Sequence, residues 1–124
     1  MNIKLPITAI LATLLTACGS GANPTIQKIA GSKEAGAVIE IARMNGCLNC
    51  HRVTSSIIGP AWDLVSERYK NAPEAREFLI NKVKKGGNGN WNSITGGAKM
   101  PPHEHMVSDE HIEKIVDFIL SLKR

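Results

Sequence analysis

Hydrophobic positions along this chain repeat every three to four residues, and no stretch alternates as a strand would. The clearest stripe lies near the C-terminus and consists of Ile112, Ile115, Val116 and Ile119. Ser108 stands just before it and is suited to cap a helix, because its hydroxyl can accept a bond from a free backbone N–H of the first turn. The pattern predicts an all-α domain that ends in a helix with one buried face.

Three further helices are predicted upstream, over residues 32–44, 62–70 and 73–85. Ser32 is suited to cap the first of them, and Asn45-Gly46 is a stop signal at its end. Pro73 suits the start of the third helix, and Gly86-Gly87 ends it. From there to Pro102 the chain is rich in Gly and Asn, which favours a loop. About four helices around one long loop are therefore expected.

The first 17 residues have the pattern of an export signal. Lys4 precedes an apolar run over residues 5–17, which is too short to span a bilayer but fits a secretory signal peptide. Leu15-Thr16-Ala17-Cys18 resembles the lipobox of bacterial lipoproteins, in which cleavage leaves the cysteine as an acylated N-terminus. We expect a lipid on Cys18 that holds an exported, periplasmic protein at a membrane. The alternative is an ordinary signal peptide followed by an incidental cysteine.

The segment that follows Cys18 is predicted to be a flexible tether over residues 19–31, because it is rich in glycine and small residues. A flexible chain of that length has a reach of roughly 20 Å. The chain thus divides into a signal peptide (1–17), a lipidated N-terminus with its tether (18–31) and one domain (32–124).

Length and composition limit what this domain can be. A chain of 124 residues suits one domain and excludes a two-domain enzyme with its own cofactor fold. Only 4% of the residues are aromatic, which suggests that something other than large side chains fills the centre. Three cysteines cannot all pair with one another: Cys18 stands alone, whereas Cys47 and Cys50 are close together.

The segment Cys47-Leu48-Asn49-Cys50-His51 has the C-x-x-C-H spacing of c-type haem attachment. Residues three apart lie on one side of a helical turn, so both thiols can reach the two vinyl groups of one porphyrin. His51 can then place an imidazole nitrogen on the iron from the same side. We predict one haem c, bound covalently through Cys47 and Cys50, with His51 as an iron ligand.

Other cysteine chemistries fit this segment less well. A structural zinc site needs four ligands, and no second Cys/His pair stands at a suitable spacing. A redox-active dithiol needs a thioredoxin-like βαβ context, which the helical pattern does not offer. A structural disulfide between Cys47 and Cys50 would leave the adjacent His51 unexplained.

Met100 is predicted to be the second iron ligand. A thioether is a soft, neutral donor that stabilises Fe(II) and raises the reduction potential. Pro101 and Pro102 restrict the backbone beside it and reduce the freedom lost on binding. His103 and His105 are the competing candidates, because a histidine on that side would give an iron with two imidazole ligands and a lower potential.

Four motifs together resemble a known family, and they occur in the order Gly46-Cys47-x-x-Cys50-His51, Gly59-Pro60, Gly89-Asn90-Trp91 and Met100-Pro101-Pro102. Residues from about 33 to 124 are similar to the small bacterial class I cytochromes c, the monohaem electron carriers that serve periplasmic reductases and oxidases. The resemblance implies the class I cytochrome c fold, in which about four helices wrap around one covalently attached haem.

The resemblance also implies roles for three residues around the haem. Pro60 would offer its carbonyl to the other ring nitrogen of His51 and so orient the imidazole. Trp91 would donate its indole N–H to a haem propionate, the alternative being a core tryptophan. Lys82 stands where an arginine to a propionate is often found, and a lysine is a less directional partner. Gly96-Gly97 makes the loop before the methionine longer than in the shortest relatives.

An iron bound by both His51 and Met100 has no open coordination position. What remains is the outer-sphere transfer of single electrons through the haem edge, so we expect an electron carrier with no small-molecule substrate and no enzymatic activity. Two alternatives stay open. One is a cytochrome subunit of a periplasmic dehydrogenase or reductase complex, and the other is a haem enzyme or gas sensor with a labile Met100.

The net charge of +4 is concentrated in one part of the chain. No acidic residue occurs between Phe78 and His103, where four lysines lie: Lys82, Lys84, Lys85 and Lys99. A basic rim beside the haem edge would favour acidic redox partners. A solvated helix end that complements its dipole explains the first three lysines equally well. Nucleic-acid binding is not expected, because the charge is modest and no aromatic platform accompanies the lysines.

Overall fold

The computed structural model describes the backbone of residues 24–123 and the side chains from Lys33 onward. Within that range the chain forms five α-helices: α1 (Pro24–Met44), α2 (Trp62–Tyr69), α3 (Ala75–Lys85), α4 (Asn92–Thr95) and α5 (Asp109–Ser121). A 3-10 turn spans Cys47–Asn49, and the only β pairing in this range is an isolated bridge between Gly87 and Met100. The all-α fold class is confirmed. The signal peptide and Cys18 lie outside the described residues.

The first helix begins earlier than its sequence signals indicated. α1 starts at Pro24 rather than at Ser32, so residues 24–31, which we expected in a flexible tether, are helical. Proline suits the first position of a helix because the N–H that it lacks has no partner there. Gly31 costs the helix interior only about 1 kcal/mol, which does not end a helix of 21 residues. No helix in the described range is both long and apolar enough to cross a membrane.

The long loop expected over residues 86–102 contains one additional short helix. α4 follows Trp91, whose carbonyl accepts bonds from the N–H groups of Ile94 and Thr95, and it ends at Gly96 in the left-handed region at φ 60°. A single turn of helix shows no hydrophobic period. This is why the sequence predicted about four helices and the described range has five.

α5 lies at the centre of the fold and packs against α1, α2 and α3. Its predicted apolar stripe is buried, and Ile112 and Val116 are fully enclosed. Burial of each such side chain contributes about 1.5–3 kcal/mol. The cap predicted at Ser108 is confirmed, since its hydroxyl accepts the N–H of His111 at 3.3 Å.

Polar contacts hold the C-terminal end of α5 in place. The hydroxyl of Ser66, in α2, donates to the carbonyl of Leu122 at 2.8 Å. Arg76, near the start of α3, pairs with Glu113 and Asp117 on α5. These ion pairs are half exposed, so each contributes little stability by itself. Together these contacts hold α2 and α3 against α5.

Candidate haem site

A tight turn brings Cys47 and Cys50 to the wall of one cavity. Gly46 precedes the turn at φ 74°, which glycine adopts without strain. The backbone N–H groups of Cys50 and His51 both donate to the carbonyl of Cys47, at 3.3 and 3.0 Å. The two thiols are half-buried and not joined to each other. Burial raises the pKa of the Cys47 thiol and so disfavours the thiolate that a redox dithiol would need at this position.

The imidazole of His51 is held in one orientation by a backbone carbonyl. Its Nδ1 lies 2.8 Å from the carbonyl oxygen of Pro60, and because a carbonyl can only accept, Nδ1 carries the proton. Nε2 is then left with its lone pair, which is the form that binds a metal. Burial lowers the pKa of His51 and so favours the neutral ring.

Two residues that the sequence reasoning did not connect with His51 complete its surroundings. An added Cβ at Gly59 would lie 2.5 Å from Cε1 of His51, so close that the imidazole would have to move. The ring of Trp62 stacks with the imidazole at 6.2 Å between centroids. The Gly-Pro motif therefore provides space as well as a carbonyl. The sequence identified this glycine as part of the motif, but it did not reveal the need for space beside His51.

Met100 is held against the end of α3 by the backbone. Its N–H and carbonyl exchange two hydrogen bonds with Gly87, at 3.0 and 2.8 Å. The N–H of His103 adds a bond to the carbonyl of Lys84 at 3.0 Å. Gly86 adopts φ 66°, and an added Cβ there would lie 2.3 Å from the carbonyl oxygen of Met100. The thioether-bearing segment is thus fixed by main-chain contacts that need glycine.

The two histidines that compete with Met100 differ in position. His103 lines the cavity, and its Nδ1 is buried without a hydrogen-bond partner among the described residues. The side chain of His105 is 90% exposed and does not line the cavity. The geometry therefore leaves Met100 and His103 within the site and places His105 outside it.

All seven predicted site residues within the described range line the same cavity: Cys47, Cys50, His51, Pro60, Lys82, Trp91 and Met100. Cys18, the eighth, lies outside that range. The cavity holds about 1290 Å³ of empty space, part of which opens to solvent. Its inner wall is apolar and includes Val65, Leu79, Ile112 and Val116.

This arrangement fits a large flat macrocycle. Two thiols stand at one wall, a neutral imidazole and a thioether lie in the same space, and apolar side chains face the remainder. Ligand sites are typically apolar cavities with a few polar groups that fix orientation. The scarcity of aromatic residues has its explanation here, because part of the hydrophobic core, including Ile112 and Val116, lines a binding cavity that the bound group would fill.

Known proteins are similar to this chain in sequence and in fold. The family model for cytochrome c matches residues 34–123. Cytochrome c-552 of Nitrosomonas europaea is 35% identical over 95 residues, which are 77% of this chain and 85% of that protein. Cytochrome c-551 of Allochromatium vinosum is 37% identical over 82 residues, which are 66% of this chain and 82% of that protein. The crystal structure of wild-type Nitrosomonas europaea cytochrome c552 superposes with a TM-score of 0.61 at 34% identity, covering 68% of this chain and 99% of that one.

The matched range contains the C-x-x-C-H turn, the cavity and the methionine loop. Haem c is attached outside the cytoplasm in bacteria, so this cofactor implies an exported protein whose partners are other redox proteins. The chain therefore belongs to the cytochrome c family, as a small class I electron carrier with one haem c bound covalently through Cys47 and Cys50.

Proposed function

We propose that this cytochrome carries single electrons on an iron held by His51 and Met100, with no coordination position open to a substrate. The observation that carries the proposal is that His51 and Met100 line one cavity, each fixed by the backbone of another segment. His105 lies outside that cavity. His103 lies inside the cavity, but it is not the residue that the β-bridge fixes. That residue is Met100, which pairs with Gly87 and is separated from His103 by two prolines.

The haem supplies reversible one-electron chemistry when bound. Pro60 keeps the proton of His51 on Nδ1, which leaves Nε2 available and raises its basicity. The thioether of Met100 favours the reduced state. The apolar wall of the cavity keeps water away from the haem and favours the oxidation state of the iron that carries less charge. Because both ligand-bearing segments are held by main-chain bonds, little has to move when an electron arrives or leaves.

Replacing Met100 with alanine should open the iron. We expect reduced wild-type protein to resist carbon monoxide and the M100A variant to bind it readily, as followed by absorption spectroscopy. His103→Ala is the matched control and should leave the resistance of the wild type unchanged. Ready binding by the wild type would point instead to a gas sensor or enzyme with a labile methionine, and opening by H103A alone would identify His103 as the ligand.

We also propose that Trp91 and Lys82 hold the haem propionates. Both line the cavity and both are half-buried. An indole N–H donates one directed hydrogen bond, whereas an ammonium group acts as a point charge. Trp91 is therefore the residue of this pair that can set the orientation of a propionate.

The partner is proposed to be an acidic redox protein that docks over the basic rim. Lys82 and Lys99 line the cavity, and Ile58, 54% exposed, lies at the same site. Lys84 is paired with Asp109 at 2.8 Å, so this lysine contributes less free charge to the rim. An exposed isoleucine beside lysines that form no ion pair among the described residues suits a partner surface that is apolar at its centre and acidic around it.

Reversing the charge of Lys99 should slow electron transfer to an anionic oxidant. At low ionic strength we expect the rate for Lys99→Glu with ferricyanide to fall several-fold, and the difference to vanish in high salt. Lys33→Glu is the control, since Lys33 is also exposed but lies on α1 and does not line the cavity. Equal effects of the two variants, measured by stopped-flow oxidation, would show that only net charge matters.

Membrane attachment through a lipid on Cys18 is the last part of the proposal. Its support is the lipobox-like segment at residues 15–18 and the export that haem c requires. Several acyl chains on one residue give stable anchoring. Cys18→Ser should move the protein from the membrane to the soluble fraction with its haem content unchanged. A wild-type protein that is already soluble would contradict the anchor.

A further inference from the structure

Arg68, on α2, makes two contacts to neighbouring residues of the methionine-side loop. Its guanidinium carbon lies 4.7 Å from the centroid of the Trp91 ring, and its Nη1 donates to the carbonyl of Asn90. The same guanidinium lies 5.7 Å from the ring of Tyr69. A cation over an indole contributes about 0.5–1 kcal/mol at an exposed site, and the bond to Asn90 adds direction.

These contacts matter because the loop that carries Trp91 is rich in glycine. Gly86, Gly87 and Gly89 all adopt positive φ before the tryptophan, and glycine gives the backbone more freedom than any other residue. α2, in contrast, packs on the central helix α5. Arg68 therefore connects α2 to the indole of Trp91.

We propose that Arg68 is a positioning residue that fixes the indole of Trp91 and thereby its hydrogen bond to a haem propionate. This rests on the propionate role proposed above for Trp91. A propionate that is bound by an indole N–H exerts less negative charge on the iron, and negative charge favours the ferric state. Arg68 therefore acts on the reduction potential through Trp91, without touching the iron.

The proposal requires arginine in particular. The guanidinium is planar, so it can lie flat over the indole while one of its N–H groups bonds to the carbonyl of Asn90. A lysine at the same position keeps the charge but cannot make both contacts in that geometry. Arg68→Lys therefore separates positioning from charge, and Arg43→Lys on α1 is the matched control, since Arg43 pairs only with Glu40 in the described range.

The test uses the holoprotein and two measurements, of which the first is made in the reduced state. NMR should show the indole N–H of Trp91 exchanging with solvent about threefold faster in R68K, while that of Trp62 and both indoles of the R43K variant stay unchanged. Redox titration should show a lower reduction potential in R68K. In a Trp91→Phe background, R68K should cause no further fall.

Three outcomes separate this proposal from the one beneath it. An unchanged exchange rate in R68K would overturn the positioning role. A fall in potential that persists in the W91F background would show that Arg68 acts on the potential by a route other than Trp91, which also overturns it. If W91F by itself leaves the potential unchanged, the propionate role of Trp91 fails, and the inference about the potential fails with it, even where the exchange rate shows that Arg68 holds the indole.

Discussion

Replacing Gly86 with alanine should detach Met100 from the end of α3 and destabilise the protein by about 3–5 kcal/mol. Gly86 adopts φ 66° and ψ −147°, a region open almost only to glycine, and a strained residue costs about 1–3 kcal/mol. The new Cβ would also lie 2.3 Å from the carbonyl oxygen of Met100 and 2.7 Å from the carbonyl carbon of Pro101. These are backbone atoms, so they cannot rotate away as a side chain could.

Relief of that contact must break the two hydrogen bonds between Gly87 and Met100, each contributing about 0.5–1.5 kcal/mol. We expect the G86A variant to lose the long-wavelength absorption band of ferric haem with a methionine ligand, and to unfold at lower denaturant concentration. Gly96→Ala is the matched control, because Gly96 has a similar φ of 60° with nothing near its Cβ position. It should cost only about 1–2 kcal/mol and keep the band. Equal losses in both variants would mean that the close approach to Met100 is unimportant.

Gly59→Ala should displace the imidazole of His51 and weaken its hold on the iron. The added Cβ would lie within 3 Å of three ring atoms of His51: Cε1 at 2.5 Å, Nδ1 at 2.8 Å and Nε2 at 2.9 Å. The imidazole must then move and lose its 2.8 Å bond to Pro60. Overpacking costs about 1–3 kcal/mol and the lost bond about 1 kcal/mol more.

Two measurements distinguish this outcome from general unfolding. The absorption spectrum of G59A should show a fraction of iron without its histidine, while a haem stain on a denaturing gel should remain, because Cys47 and Cys50 are untouched. The control is Gly36→Ala in the exposed part of α1, where nothing lies within 4 Å. It should stabilise the protein by about 0.5–1 kcal/mol. A G59A protein with wild-type spectrum and stability would refute the steric role of Gly59.

Features with a local physical cause were predicted from sequence. The C-x-x-C-H spacing needs only one turn of backbone, and the cap at Ser108 with the stripe that follows needs only one helix. Both are confirmed because no distant contact opposes them. The start of α1 was wrong for the opposite reason: a cap preference at Ser32 and a glycine before it were each worth about 1 kcal/mol, and a long helix outweighed them.

The rest of the site depends on contacts between segments that are distant in the sequence. Nothing near Gly86 reveals that the carbonyl of Met100 will lie against it, and nothing near Gly59 reveals how closely His51 approaches. His103 and His105 have the same side chain, yet one lines the cavity and the other is exposed. The role of Arg68 could not be predicted from sequence, because exposed arginines are common on short helices. Its contact with Trp91 is visible only in the folded structure.

The early start of α1 changes how the domain would stand on a membrane. A helix of 21 residues is about 30 Å long, and its C-terminal half packs on the core through Val38, Ile39 and Ile41. Of the tether expected over residues 19–31, the part from residue 24 onward is helical, so a lipid on Cys18 would join the domain largely through a helix rather than a flexible coil. A helix of this length would limit the distances from the bilayer at which the haem edge can stand, which favours redox centres within that range.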